Sequence, residues 1–74
     1  MPSLRDLKRY CERTGWVQVG KGRNHYYYEK VLSNGEILRT KISHALGKEI
    51  PYHLWQNILK KQLKTTPEEF NKHI

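Results

Sequence analysis

The feature that most constrains this chain is the pair Asn34-Gly35, set between two strand-like runs, His25 to Leu32 and Glu36 to Ile42. Asn-Gly accepts the positive φ that primed turns need, so Ser33-Asn34-Gly35 predicts a hairpin turn between the two runs. In the second run Leu38, Thr40 and Ile42 alternate with Ile37, Arg39 and Lys41, the period of a strand with one buried face. The first run divides into His25, Tyr27, Glu29 and Val31 against Tyr26, Tyr28, Lys30 and Leu32. Both sets are aromatic. Either Tyr27 or Tyr28 therefore fills core, and the other set faces out.

A lone hairpin is not stable in water, so the rest of the chain must cover it. Trp16-Val17-Gln18-Val19 reads as a third strand, ended by Gly20. Before it, Leu4, Leu7, Tyr10 or Cys11, and Thr14 recur at helical spacing, with Arg5, Lys8, Arg9, Glu12 and Arg13 on the other face. Ser3 and Asp6 open that helix as a weak capping box, and Gly15 sits where a helix ends. After the strands comes a loop, Ser43 to Ile50. Pro51 then suits the first turn of a second helix whose apolar side is Leu54, Trp55, Ile58, Leu59, Gln62 and Leu63. Thr66-Pro67-Glu68-Glu69 carries a full capping signature and predicts a short third helix bearing Phe70. The expected fold is α+β. It has the order α-β-β-β-α, two helices on one face of a three-stranded antiparallel sheet, and a short terminal helix. This is the topology of the double-stranded-RNA-binding domain.

A chain of 74 residues implies one domain. One cysteine permits no internal disulfide, and Cys11 on a helical face reads as a small buried hydrophobe. No apolar run approaches the ~20 residues that span a membrane, and no signal-peptide core opens the chain, so a cytoplasmic protein with no membrane partner is expected. Fourteen Lys and Arg against seven Asp and Glu leave a net charge of +7. That excess in so small a domain points to a polyanionic partner, most often nucleic acid.

The candidate site is Gly20-Lys21-Gly22-Arg23-Asn24-His25, running into Tyr26-Tyr27-Tyr28. Its glycines permit close approach or positive φ, its backbone amides can form an anion nest, and Lys21 and Arg23 favour phosphate. His25 adds a group titrating near neutral pH. RNA cleavage without a metal needs a base at the 2′-hydroxyl, cations on the phosphate and an acid for the leaving oxygen. His25 suits the base, and Lys21, Gly22, Arg23, Asn24, Arg39 and Lys41 suit the phosphate. An outward tyrosine would stack on a base. His44 is an auxiliary acid or base, or a plain loop histidine bonded to backbone, and Tyr26 is a further auxiliary. Trp16 and Trp55 read as core anchors, His53 and His73 as surface groups. Other chemistries fail. Gly20-x-Gly22 leads to a strand rather than a helix, against the dinucleotide fingerprint. One cysteine and four scattered histidines give no zinc spacing.

The residues in this order resemble the HicA-type toxins of toxin–antitoxin systems. The resemblance rests on Gly15-Trp16, the strand Val17-Gln18-Val19, the glycine loop ending in His25, Asn34-Gly35, Ile42-Ser43-His44, Lys48-Glu49-Ile50-Pro51, the pattern Leu54-Trp55-x-x-Ile58-Leu59-Lys60, and Thr66 to Phe70. It covers nearly all of residues 1–74. It implies the double-stranded-RNA-binding fold, cleavage of messenger RNA by an endoribonuclease with no metal and no cofactor, and a HicB-type antitoxin as partner. The catalytic histidine of the family ends a Gly-Ser-His motif. This chain has Gly22-Arg23-Asn24-His25 instead. Ungapped, Asn24 falls on the catalytic position; one inserted residue puts His25 there and restores the spacing to Tyr28. With Asn24 in that place the chain binds RNA without cutting it. A non-catalytic RNA-binding or protein-interaction module on the same fold fits the charge and aromatics equally.

Overall fold

The structure, a computed structural model, describes residues 2–74. Helix α1 spans Leu4–Arg13, strands β1, β2 and β3 span Val17–Lys21, His25–Val31 and Ile37–Ser43, helix α2 spans Tyr52–Asn57, and helix α3 spans Pro67–Asn71. The strands form one antiparallel sheet in the order β1-β2-β3. The α+β order expected from the sequence is the order observed.

A hairpin turn stands where expected, but it is not a primed turn. Of Asn34 and Gly35 only Gly35 takes positive φ, and the loop is the three residues Ser33 to Gly35, closed by the Leu32 amide donating to the Glu36 carbonyl at 2.8 Å. Gly35 has a φ of +89°, and the Asn34 side chain accepts from the Glu36 amide at 2.9 Å. The turn sets the register, with Lys30, Tyr28 and Tyr26 opposite Leu38, Thr40 and Ile42. Those six share the face under the helices. Tyr28, Leu38 and Ile42 are buried there with Leu7, Tyr10 and Cys11 of α1 and Trp55, Leu59, Leu63 and Phe70 of the C-terminal segment. Tyr28 thus goes inward and Tyr27 outward. Val17, Tyr27, Val31 and Ile37 lie exposed on the uncovered face.

Three further details depart from the sequence reading. First, β1 does not end at Gly20. It continues to Lys21, and Val19 is an extra residue bulged between the Gln18–Tyr28 and Gly20–Tyr27 pairs. A bulge inserts one residue and shifts everything after it to the other face. Second, Pro51 stands just before α2 rather than within its first turn. Third, α2 passes into a π-helical turn, Ile58–Gln62, in which the Leu63 amide donates to the Ile58 carbonyl at 2.8 Å. Trp55, Leu59 and Leu63 lie four apart. A wider turn keeps such a set in one line, where an α-helix would let it drift. Leu54, expected in the core, is left exposed. The same turn puts Gln62 beside the buried Thr40, whose hydroxyl donates to it at 2.6 Å.

The caps also exchange strength. Ser3 and Asp6 make the full reciprocal box, with bonds of 3.0 and 3.2 Å. At α3, Thr66 accepts from the Glu69 amide at 3.2 Å. The Glu69 carboxylate faces Lys72 and His73 and does not reach back.

Burial pushes the Cys11 thiol up to about 12. The thiolate needed for nucleophilic chemistry is therefore absent near neutral pH. Ellman's reagent at pH 8 should leave the folded protein unlabelled and label one thiol per chain in denaturant. The pH dependence follows by linkage. Above the ordinary thiol value of about 8.5 the unfolded chain loses this proton while the folded chain keeps it. Stability then falls with rising pH by about 1.4 kcal/mol per unit from this group. Between pH 8.5 and 10, Cys11→Ala should remove that slope in urea titrations; an unchanged slope would contradict it.

Candidate functional site

The predicted residues meet at one end of the sheet, around the β1–β2 hairpin. Gly22 donates its amide to the His25 carbonyl at 2.8 Å, which leaves Arg23 and Asn24 as an exposed two-residue tip. The Asn24 carbonyl accepts from the His44 amide at 3.1 Å. This is a tied hairpin rather than a loose anion nest, since the Gly22 N–H is already spent.

Its glycines serve a different purpose from positive φ, which only Gly15 and Gly35 adopt among the glycines. The Tyr27 ring lies over them. A Cβ on Gly22 would stand 3.2 Å from Tyr27 Cε2, and one on Gly20 would stand 3.7 Å from Cδ2. Glycine on one strand lets an aromatic on the next lie flat across it. The tyrosine is thereby fixed on the uncovered face, its ring 6.3 Å from that of His25.

Lys41 stands directly opposite Tyr27, and Arg39 opposite Glu29. His25, Tyr27 and Lys41 are thus neighbours on one pleated face, within the reach of cross-strand and diagonal pairs. Arg39 is partly spent: its Nε donates to the Glu29 carboxylate at 2.8 Å. Lys41 has no carboxylate within ion-pair distance among the described residues, and neither have Arg23 and Lys21. A shallow hollow of about 300 Å³ lined by Tyr27, Arg39, Thr40, Lys41 and Gln62 adjoins this face. A larger one, about 420 Å³, lies toward the β2–β3 turn end and is lined by none of the predicted site residues; size alone does not mark the chemistry.

The remaining candidates turn the other way. Lys21 pairs with Tyr26, on the helix side of the sheet. Its ammonium lies 5.8 Å from the Tyr26 ring centre, and that of Lys8 from α1 lies 5.5 Å from it. The His44 ring packs on the same tyrosine at 4.4 Å. The structure therefore brings together His25, Tyr27, Arg39 and Lys41 on one face and Lys21, Tyr26 and His44 on the other, with Gly22, Arg23 and Asn24 at the edge between. His44 does not use its side chain as a plain loop histidine would: its backbone bonds Asn24, while its buried Nε2 has no partner. Sequence reasoning missed Lys8, which reads as one more solvent-facing lysine on α1. Only knowing which tyrosine faced the helices would have singled it out.

Across the described residues no helix is long and apolar enough to cross a membrane. Comparison with protein-family models, with curated proteins and with solved structures finds no match to this chain.

Proposed function

We propose that this chain binds and cleaves RNA as a HicA-type toxin, with His25 as general base and a HicB-type antitoxin as its protein partner. One observation carries the reading. A histidine, a tyrosine laid flat on glycine and a lysine free of carboxylates share the uncovered sheet face, beside a cationic hairpin tip. The resemblance in residue order supports it as well.

The chemistry needs few groups. A His25 ring nitrogen takes the proton of a 2′-hydroxyl. The 2′-oxygen then attacks the adjacent phosphorus, and the bond to the 5′-oxygen breaks. That oxygen leaves with a proton, for which the Lys41 ammonium and the Tyr27 hydroxyl are donors on the same face. Lys41 and Arg23 offset charge on the non-bridging oxygens, Arg23 in a bidentate manner. The products are a 2′,3′-cyclic phosphate and a 5′-hydroxyl. Asn24 carries no titrating group, so the proton transfer falls to His25. Val17, Val31 and Ile37, exposed on the same face, give an antitoxin apolar surface to cover, and a complex should bury His25 and Lys41.

Binding supplies the first test. Each phosphate contact releases counterions, so log K for single-stranded RNA should fall linearly with log salt, by ~0.7 per contact. Lys41→Gln and Arg23→Gln should each lower that slope by about one contact. A flat response in the wild-type protein would remove the electrostatic basis of the reading.

A further inference from the structure

The helix side of the hairpin holds a cationic cluster that the cleavage site does not use. Lys8 from α1, Lys21 from β1 and His44 from the segment after β3 converge on the single ring of Tyr26. Two ammonium groups within 6 Å of one ring centre repel each other, and only one of them is neutralised: Lys8 bonds Glu12, which holds its ammonium above the ordinary lysine value. Lys21 has no carboxylate within ion-pair distance among the described residues. His44 Nε2 is the one buried side-chain nitrogen or oxygen among the described residues with no hydrogen-bond partner. A buried polar atom without a partner is uncommon in native proteins and calls for an explanation. An anionic oxygen answers both features. It offsets the unpaired ammonium charge, and it is an acceptor for an N–H of the His44 ring.

We propose that Lys8, Lys21, Tyr26 and His44 form a second phosphate site, which holds a phosphate of the same RNA strand other than the one at His25. The assignment rests on the RNA reading above. The strand crosses the hairpin tip at Arg23 and Asn24, with one phosphate on each side of the sheet. Such a site supplies affinity and fixes which phosphate reaches His25, and it takes no part in bond breaking. Lys21 is then a binding residue of this site rather than of the cleavage site.

The test is an NMR titration with inorganic pyrophosphate, together with RNA binding at several salt concentrations. Pyrophosphate should move the ring signals of Tyr26 and His44 in the wild-type protein. Lys8→Gln with Lys21→Gln should abolish those shifts and lower the RNA salt slope by ~0.7, the worth of one phosphate contact. Glu12→Gln, which frees Lys8, should tighten pyrophosphate binding by about three-fold, the Coulomb effect of one carboxylate several ångströms away in water. A disrupted fold would not strengthen binding. Tyr26 and His44 signals that stay still, with a slope unchanged in the double variant, would overturn the second site and leave the cleavage reading intact. Shifts at Tyr26 and His44 in a protein that binds no RNA would instead overturn the RNA reading and retain an anion site.

Discussion

Phe70→Ala is expected to destabilise the fold by about 3–5 kcal/mol, the range for emptying a buried phenylalanine site. Phe70 is 1% exposed. Its ring centre lies 4.9 Å from that of Tyr10 and 4.7 Å from that of Trp55. It therefore ties the five-residue α3 to α1 and α2 at once. A helix so short does not form by itself in water. Removing its anchor should release the segment as well as leave a hole. Single domains have only about 5–15 kcal/mol in hand, and small ones lose roughly 4–8 °C per kcal/mol. Thermal unfolding should shift down by more than 10 °C. A shift of only a degree or two would mean that α3 contributes nothing to the core.

The second large effect is at His25. His25→Ala should lower RNA cleavage by about 10²–10⁴, the usual contribution of a positioned acid–base group. The fold should survive. His25 enters the sheet through its backbone, opposite Ser43, and its ring is only half-buried on the uncovered face. Such substitutions usually stay within about 0.5 kcal/mol. RNA binding should weaken little, since Lys41 and Arg23 keep their charges. Asn24→Ala, one residue away at the tip, should leave cleavage unchanged. The reverse pattern would place the active position at Asn24.

Much of this arrangement is legible in the sequence because period and turn agree. Leu38, Thr40 and Ile42 alternate cleanly, and Asn34-Gly35 marks where the chain turns. Continued through a three-residue loop, Ser33 to Gly35, that pairing sets Tyr28 inward and Tyr27 outward; a two-residue turn at Asn34-Gly35 would set Tyr27 opposite Ile42 instead, so the choice stays open until the loop length is known. The limits of α1 are equally plain, since Ser3, Asp6 and Gly15 mark both ends. What stayed hidden was a matter of one residue. Without the bulge at Val19, Lys21 would oppose His25 and join the open face; with it, Lys21 opposes Tyr26 beneath the helices. One step of register moves a side chain to the opposite side of a sheet, and nothing in Gln18-Val19-Gly20 announces the step. The π-helical turn is concealed in the same way, because Trp55, Leu59 and Leu63 also fit an ordinary helix. The glycines of the hairpin did mark a close approach, but of the Tyr27 ring.

The measurement that bears most directly on the account is cleavage of a single-stranded RNA by the purified protein with a chelator present, read for both rate and end groups. The account predicts that the wild-type chain cuts and leaves 2′,3′-cyclic phosphate ends, while His25→Ala, equally folded, does not cut. RNA left whole by the wild-type chain at high concentration, or cut as fast by His25→Ala, would contradict it.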